Sequence, residues 1–307
     1  MRGLPNVSPA TRRRVLDAAG ELNYTPHPSA AHLAAGKTGL VTMVVPSITS
    51  WYTGQAMAGA EAVVTGSGLE LSVMLLPDAA AREAIVSDPS SLALRCDAVI
   101  LLDLIPDPAH VAPWFPLVVV GSRSHAVDSV FIDNEAGATL AAHHLAALGH
   151  TEIAVIAGAD VEAASPVTAL RLAGFEAALE SADVPFDRSC MAYGNFSALG
   201  GHEAMSDLLA RPRRPSAVFA LSDEMAIGAM KAVADAGLSV PHDVSIVGFD
   251  DHDLAFAVGL TTVSQSPADL GARAASLLVE RIDGNNPPPR QVVGDTHLVV
   301  RSSTTSR

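Results

Sequence analysis

The stretch SIVGFDD, residues 245–251, ends an apolar run on two adjacent carboxylates, Asp250 and Asp251. Such a pair can share a proton for general acid–base work, accept hydrogen bonds from a bound ligand, or cap a following helix. Carboxylates at the carboxyl end of a buried parallel strand sit where open α/β sheets bind small molecules. A cap needs only one carboxylate, so Asp250 is read as a binding residue and Asp251 as a structural one. A second apolar run, AVFALSD, ends on Ser222 and Asp223 and adds two more acceptors.

Cations and aromatic rings near other strand ends complete the set. Arg171 begins RLAGF in the first turns of a helix, where a cation opposes the helix dipole and has reason to serve another task. Arg123 follows PLVVVG, Trp51 and Tyr52 follow VVPS, and Phe196 lies in GNFSALGG after a further strand. Carboxylate and guanidinium over an aromatic ring suit a sugar, whose hydroxyls donate and accept while its C–H face stacks. A purine or another small polar metabolite fits the same groups.

Catalytic signatures are absent from the sequence. There is no G-x-S-x-G elbow, no glycine-rich phosphate fingerprint after a strand and no Cys/His metal spacing, so no enzyme, metal or cofactor is expected. His143, His144 and His150 lie in and just after HHLAALGH, where surface positions and a helix end account for them. Cys96 and Cys190 lie far apart in sequence; they form no disulfide framework and are read as core residues of a protein from a reducing compartment.

These groups need a large scaffold, and 307 residues supply one or two domains. Hydrophobic residues make up 49% and charged residues 17%, which marks a globular chain. The apolar runs are strand-length, short of the roughly 18 to 20 residues that span a bilayer. Met1 is followed by Arg2, Arg12, Arg13 and Arg14 with no apolar core between them, so no signal peptide is read and a cytoplasmic location is expected. A formal charge of −14 argues against nucleic-acid binding over the whole surface. Residues 1–38 differ, with five cations against two carboxylates, a net of +3.

From residue 39 apolar runs alternate with helical segments. Strands are predicted at 40–45, 69–76, 98–103, 117–121, 130–133, 153–158, 190–194, 217–221, 246–250 and 260–263. Helices are predicted at 54–65, 136–148, 168–180, 198–210, 224–236 and 267–281, and 291–300 reads as a final extended run. Continuous apolar strands between helices imply parallel sheets covered on both faces. Ten strands are too many for one sheet in a chain of this size, so two similar subdomains with a cleft are expected. Ahead of them, Ser8 and Pro9 read as a helix start. Val15, Ala19 and Leu22 form one apolar stripe, and residues 29–35 form a second short helix.

In this order and spacing the chain resembles the LacI/GalR family of bacterial transcription regulators. NVSPATRRRVLDAAGELNYTPHPSAAHLAAGKT is similar to the last helix of the DNA-binding head plus the hinge helix. FIDNEAGATLAAHHLAALGHTEIAVIAG, RLAGFEAAL, AVFALSDEMAIGAMKAVADAGLSVPHDVSIVGFDD, LTTVSQ and LVVRSST are similar to the effector-binding core. The resemblance implies two Rossmann-like subdomains of the periplasmic-binding-protein type I fold, joined by crossover strands, behind a partial all-α head and hinge helix. The expected divisions are 1–38 for head and hinge, 39–133 plus 265–290 for the N-terminal subdomain, and 134–264 plus 291–307 for the C-terminal one. Family members begin with two short helices before the segment matched here. The head is therefore expected to be partial, Met1 being an internal methionine of a longer product, and operator recognition of normal specificity is not expected of the chain as it stands.

The resemblance also implies roles. Trp51, Tyr52, Arg123, Arg171, Phe196, Ser222, Asp223, Asp250 and Gln265 are the implied effector contacts. Arg171 would make forked hydrogen bonds and Phe196 would stack on the ligand. Ser8 and Thr11 match phosphate contacts, and Leu33 matches the hinge leucine that wedges between base steps in the minor groove. The implied function is a ligand-responsive repressor that senses a small polar metabolite, most simply a sugar, and acts as a homodimer on operator DNA through lobe rotation. Ala56, Ala60 and Val63 offer a small-residue face for a two-fold contact. A solute-binding protein without DNA-binding activity is the alternative.

Overall fold

Apolar runs with no polar alternation need cover on both faces, and the chain provides it by returning a helix after nearly every strand. A computed structural model of the chain describes residues 8–21, 37–76, 78–102, 114–158, 166–285 and 287–307. Leu33 and the expected second short helix lie outside the described residues. The first helix, α1 (Pro9–Glu21), starts as expected: the Thr11 amide donates to Ser8 Oγ at 3.2 Å. On its apolar stripe Val15 is 47% exposed and Ala19 half-buried, and Leu22 lies outside the described residues.

The N-terminal lobe follows as β1 (Leu40–Val45), α2 (Trp51–Gly66), β2 (Glu70–Leu75), α3 (Ala79–Ser87), α4 (Ser90–Ala93), β3 (Ala98–Leu102), β4 (Leu117–Val120) and β5 (Asp128–Ile132). The C-terminal lobe contains α5 (Asn134–Ala147), β6 (Ile153–Ala157), α6 (Pro166–Ser181), β7 (Met191–Tyr193), α7 (Ala198–Leu209), β8 (Ala217–Ala220), α8 (Asp223–Asp235), β9 (Ser245–Asp250), α9 (Asp253–Val258) and β10 (Thr261–Ser264). The chain then returns through α10 (Pro267–Ile282) to β11 (Gln291–Gly294) and ends on β12 (His297–Val299).

Two six-stranded sheets result, β11-β5-β4-β3-β1-β2 and β12-β10-β9-β8-β6-β7. Every pairing is parallel except that of β10 with β12. The central strands β3, β8 and β9 are buried along their whole length, which is why their sequences carry almost no polar residues. The backbone passes between lobes after β5, after β10 and between β11 and β12.

Two expectations change here. The run 291–300 is not one element: Val292 pairs with Val130 in the first sheet, while Leu298 pairs with Val263 in the second. The last crossover therefore lies at 295–296 and not at 290, because β11 completes the N-terminal sheet. The stripe on α2 is also spent inside the lobe. Ala56 and Ala60 are fully buried, and α2 meets α10 so closely that a Cβ on Gly59 would stand 1.8 Å from the Ala268 carbonyl oxygen. A two-fold contact on Ala56 and Ala60 is excluded by that packing.

Candidate functional site

Strand β9 ends on Asp250 with φ +133° and turns away through Asp251 at φ +58°. Both are unusual for non-glycine residues, and local strain of this kind gathers at ligand sites. Asp250 is 6% exposed. Its Oδ1 accepts from Gln265 Nε2 at 2.6 Å and lies 3.8 Å from Arg171 Nη1. The Asp223 backbone amide also hydrogen-bonds towards this carboxylate.

Arg171 is as buried as its neighbour and has been given internal partners. Its Nε donates to Asn134 Oδ1 at 2.8 Å and its Nη1 to the Leu221 carbonyl at 2.5 Å. The guanidinium carbon sits 3.5 Å from the centroid of the Phe249 ring, a desolvated cation–π contact. A Cβ at Gly137 would meet that ring at 2.9 Å, so this glycine leaves the ring its place. The cation that opposed its own helix dipole thus neutralises a strand-end carboxylate.

Asp223 is fully buried and spent: its Oδ1 accepts from the Thr262 hydroxyl at 2.6 Å and its Oδ2 from the His252 amide at 2.8 Å. The absence of a side chain at Gly248 makes room, since a Cβ there would come 2.0 Å from Asp223 Oδ1. Ser222 caps α8 through the Met225 amide at 3.3 Å. Both residues, expected as effector contacts, make these hydrogen bonds within the C-terminal lobe. Burial pushes Asp223 up to about 8, reinforced by the charge of Asp250. Burial also raises Asp250, to about 6, with Arg171 and Gln265 opposing the rise.

The rings border this network. Trp51 opens α2, stacks on His252 with centroids 4.8 Å apart, and donates from Nε1 to Asp253 Oδ2 at 3.1 Å. It therefore bridges the lobes. Tyr52 packs half-buried against the core. Phe196, at φ +50°, lies against the end of β6, where a Cβ on Gly158 would overlap its ring. Arg123 is exposed and stands 5.2 Å over the Phe131 ring of its own lobe.

The structure thus joins Arg171, Asp250 and Gln265 directly, places Trp51 at the lobe junction, and leaves Arg123 exposed over Phe131 in the N-terminal lobe. Asp251 is structural as read, although its partner is Arg301 Nη2 at 2.7 Å and His252 is the residue that caps α9. His150 corrects a surface reading: it is 3% exposed, bonded to Ser216 and Ser245 and to the Thr305 carbonyl. Asn134 is the site neighbour that sequence reasoning missed. The only signal was a second polar residue after Asp133, which already caps α5 by accepting from the Ala136 amide. Among the described residues no cluster of His, Cys, Asp and Glu could hold a metal ion, and no helix is long and apolar enough to cross a membrane.

The matches to known proteins run along almost the whole chain. Residues 142–304 match the family model described as a periplasmic binding protein-like domain. The HTH-type transcriptional regulator CelR of Thermobifida fusca is 34% identical, over 99% of this chain and 92% of that protein. The HTH-type transcriptional repressor CytR of Escherichia coli K12 is 31% identical, over 97% and 89%. Among solved structures, a CelR–cellobiose complex superposes with a TM-score of 0.77 at 32% identity, covering 98% of this chain and 93% of that one. The lac repressor dimer bound to operator and the anti-inducer ONPF gives 0.83 at 27% identity, covering 98% and 92%.

Proposed function

Because this chain belongs to the LacI family of transcription regulators, we propose that it is a repressor released or engaged by a neutral, hydroxyl-rich effector of the sugar class. The observation that carries the reading is the buried Asp250 carboxylate at the end of β9, fixed by Gln265 and set beside buried Arg171. Such a group accepts from a ligand hydroxyl without having to be reorganised first. Trp51, Tyr52 and Phe196 would supply apolar wall on either side, and Arg123 would reach in from the N-terminal lobe. The bound cellobiose of the CelR relative supports the ligand class.

On the DNA side, Ser8 and Thr11 at the start of α1 would meet phosphates and Leu33 would enter the minor groove. The working form is a cytoplasmic homodimer, as the dimeric lac repressor relative suggests, and the site binds without turnover. Calorimetric titration of the chain with neutral mono- and disaccharides, cellobiose among them, tests this. A hydrogen bond to a charged group contributes about 1.5 to 3 kcal/mol, so Asp250→Ala should weaken the best binder roughly tenfold to a hundredfold. An unchanged affinity, or no binding by any neutral sugar, rejects the site or the ligand class respectively.

A further inference from the structure

Asn134 and Gln265 occupy corresponding places in the architecture. Asn134 is the first residue of α5, where the chain has just left β5 for the C-terminal lobe; Gln265 follows β10, where the chain turns back towards α10. Both are buried, at 4% and 5% exposure. Each spends its side-chain amide on one member of the charged pair: Asn134 Oδ1 accepts from Arg171 Nε, and Gln265 Nε2 donates to Asp250 Oδ1. With the 3.8 Å approach of Arg171 to Asp250, these contacts form a chain, Asn134–Arg171–Asp250–Gln265, that runs from one crossover to the other through the proposed effector site.

Nothing about carrying backbone between lobes requires a buried amide at either position. The cap of α5 is provided by Asp133, and a buried amide is costly unless it is bonded. Arg171 is itself fixed to the C-terminal lobe by the Leu221 carbonyl and the Phe249 ring. Compliance therefore lies at the outer links, where the crossover residues hold on.

We infer that Asn134 and Gln265 are positioning residues that tether both crossovers to the Arg171–Asp250 pair, so that the state of this pair sets the angle between the lobes. A ligand hydroxyl drawn to Asp250 competes with or reinforces the Gln265 bond, and the shift in Arg171 is felt at Asn134. Such a ligand selects one lobe angle only to the extent that it binds that arrangement better. The assignment rests on placing the effector at Asp250.

The test reads lobe geometry without any ligand. In the full chain, Cys96 and Cys190 are replaced by alanine, and nitroxide labels are attached to cysteines introduced at Glu61 on α2 and Glu203 on α7, both exposed. Pulsed-EPR distances between them should shift or broaden by several ångströms in Asn134→Ala and in Gln265→Ala. Asn134→Asp, which keeps the acceptor for Arg171 Nε, should restore the parent distribution; a residue that merely stabilises the fold would not give that rescue. Where an alanine variant fails to fold, Asn134→Ser or Gln265→Met takes its place. Superimposable distributions in the parent and in both tether variants overturn the inference. A sugar that loses affinity in Asp250→Ala while the distances stay fixed would keep the effector site and reject the tether. Distances that respond while no sugar binds would keep the tether and reject the ligand class.

Discussion

The carboxylate most committed to structure is Asp128, a residue the sequence offered no reason to notice. It is fully buried and receives Arg281 through Nε and Nη2, both at 2.8 Å, together with the Arg290 amide at 2.6 Å and its Nη2 at 3.2 Å. Burial alone would raise its pKa, yet the donors from Arg281 and Arg290 outweigh it and hold the carboxyl below its ordinary 3.8. Removing one partner of such a group costs about 3 kcal/mol or more, because the others are left uncompensated. Asp128→Ala is accordingly expected to lower the unfolding free energy by that margin, read as a lower urea midpoint with little change in m-value. A depressed carboxylate pKa contributes stability that is present above 3.8 and is lost as pH falls through the folded value, so the parent should lose an acid-sensitive increment that the variant never had. At the same scale, Arg171 and Asp250 were legible because their chemistry is odd for their places. The partners of Asp223 were not legible, because His252 and Thr262 stand 29 and 39 residues away, beyond any local pattern.

Elements were legible in proportion to their length and apolarity. The long buried strands and the helices between them appear close to where the pattern puts them, since both faces of each strand need cover. The helices that escaped were α3, α4 and α9, of nine, four and six residues, and β11 and β12, of four and three, were read as one run; elements this short give a periodicity little room to declare itself. The α2–α10 contact was hidden for another reason, because small residues on a helix face read alike whether they meet a neighbour inside the lobe or a second molecule. That contact is testable. A Cβ on Gly59 would overlap the Ala268 carbonyl and one on Gly271 the Ala56 carbonyl, so Gly59→Ala should cost about 1 to 3 kcal/mol through forced separation of the helices. Gly54→Ala on the same helix meets nothing within 4 Å. It should instead be neutral or stabilising by roughly 0.5 to 1 kcal/mol, so thermal melts of the two variants should move in different directions.

Across the whole molecule the buried titratable groups shape stability against pH. Burial lowers His144, His150 and His252 from 6.5, so more than about one pH unit above that value these rings are neutral in both folded and unfolded chains and contribute little slope. Asp223 differs, with a folded value of about 8 against 3.8 unfolded. Between these limits the folded state holds the extra proton, and stability must fall as pH rises. Melting temperature is therefore expected to decline from about pH 7.5 to about 8, and Asp223→Asn should flatten that decline; an equal slope in parent and variant would assign it to other groups.

The two lobes also share a timetable. Each sheet receives a strand from the last part of the chain: β11 lies beside β5, β12 beside β10, and only two residues separate them. During synthesis neither lobe can close its sheet until residues 291–299 have left the ribosome. The N-terminal lobe, which has five of its six strands by residue 132 but lacks α10 and β11, must wait with α2 and the flank of β5 uncovered while some 160 further residues are made, at about 5 to 20 per second. An unpaired strand edge is a template for other chains, so the wait between the synthesis of β5 and that of β11 is when a nascent copy of this protein most needs a chaperone.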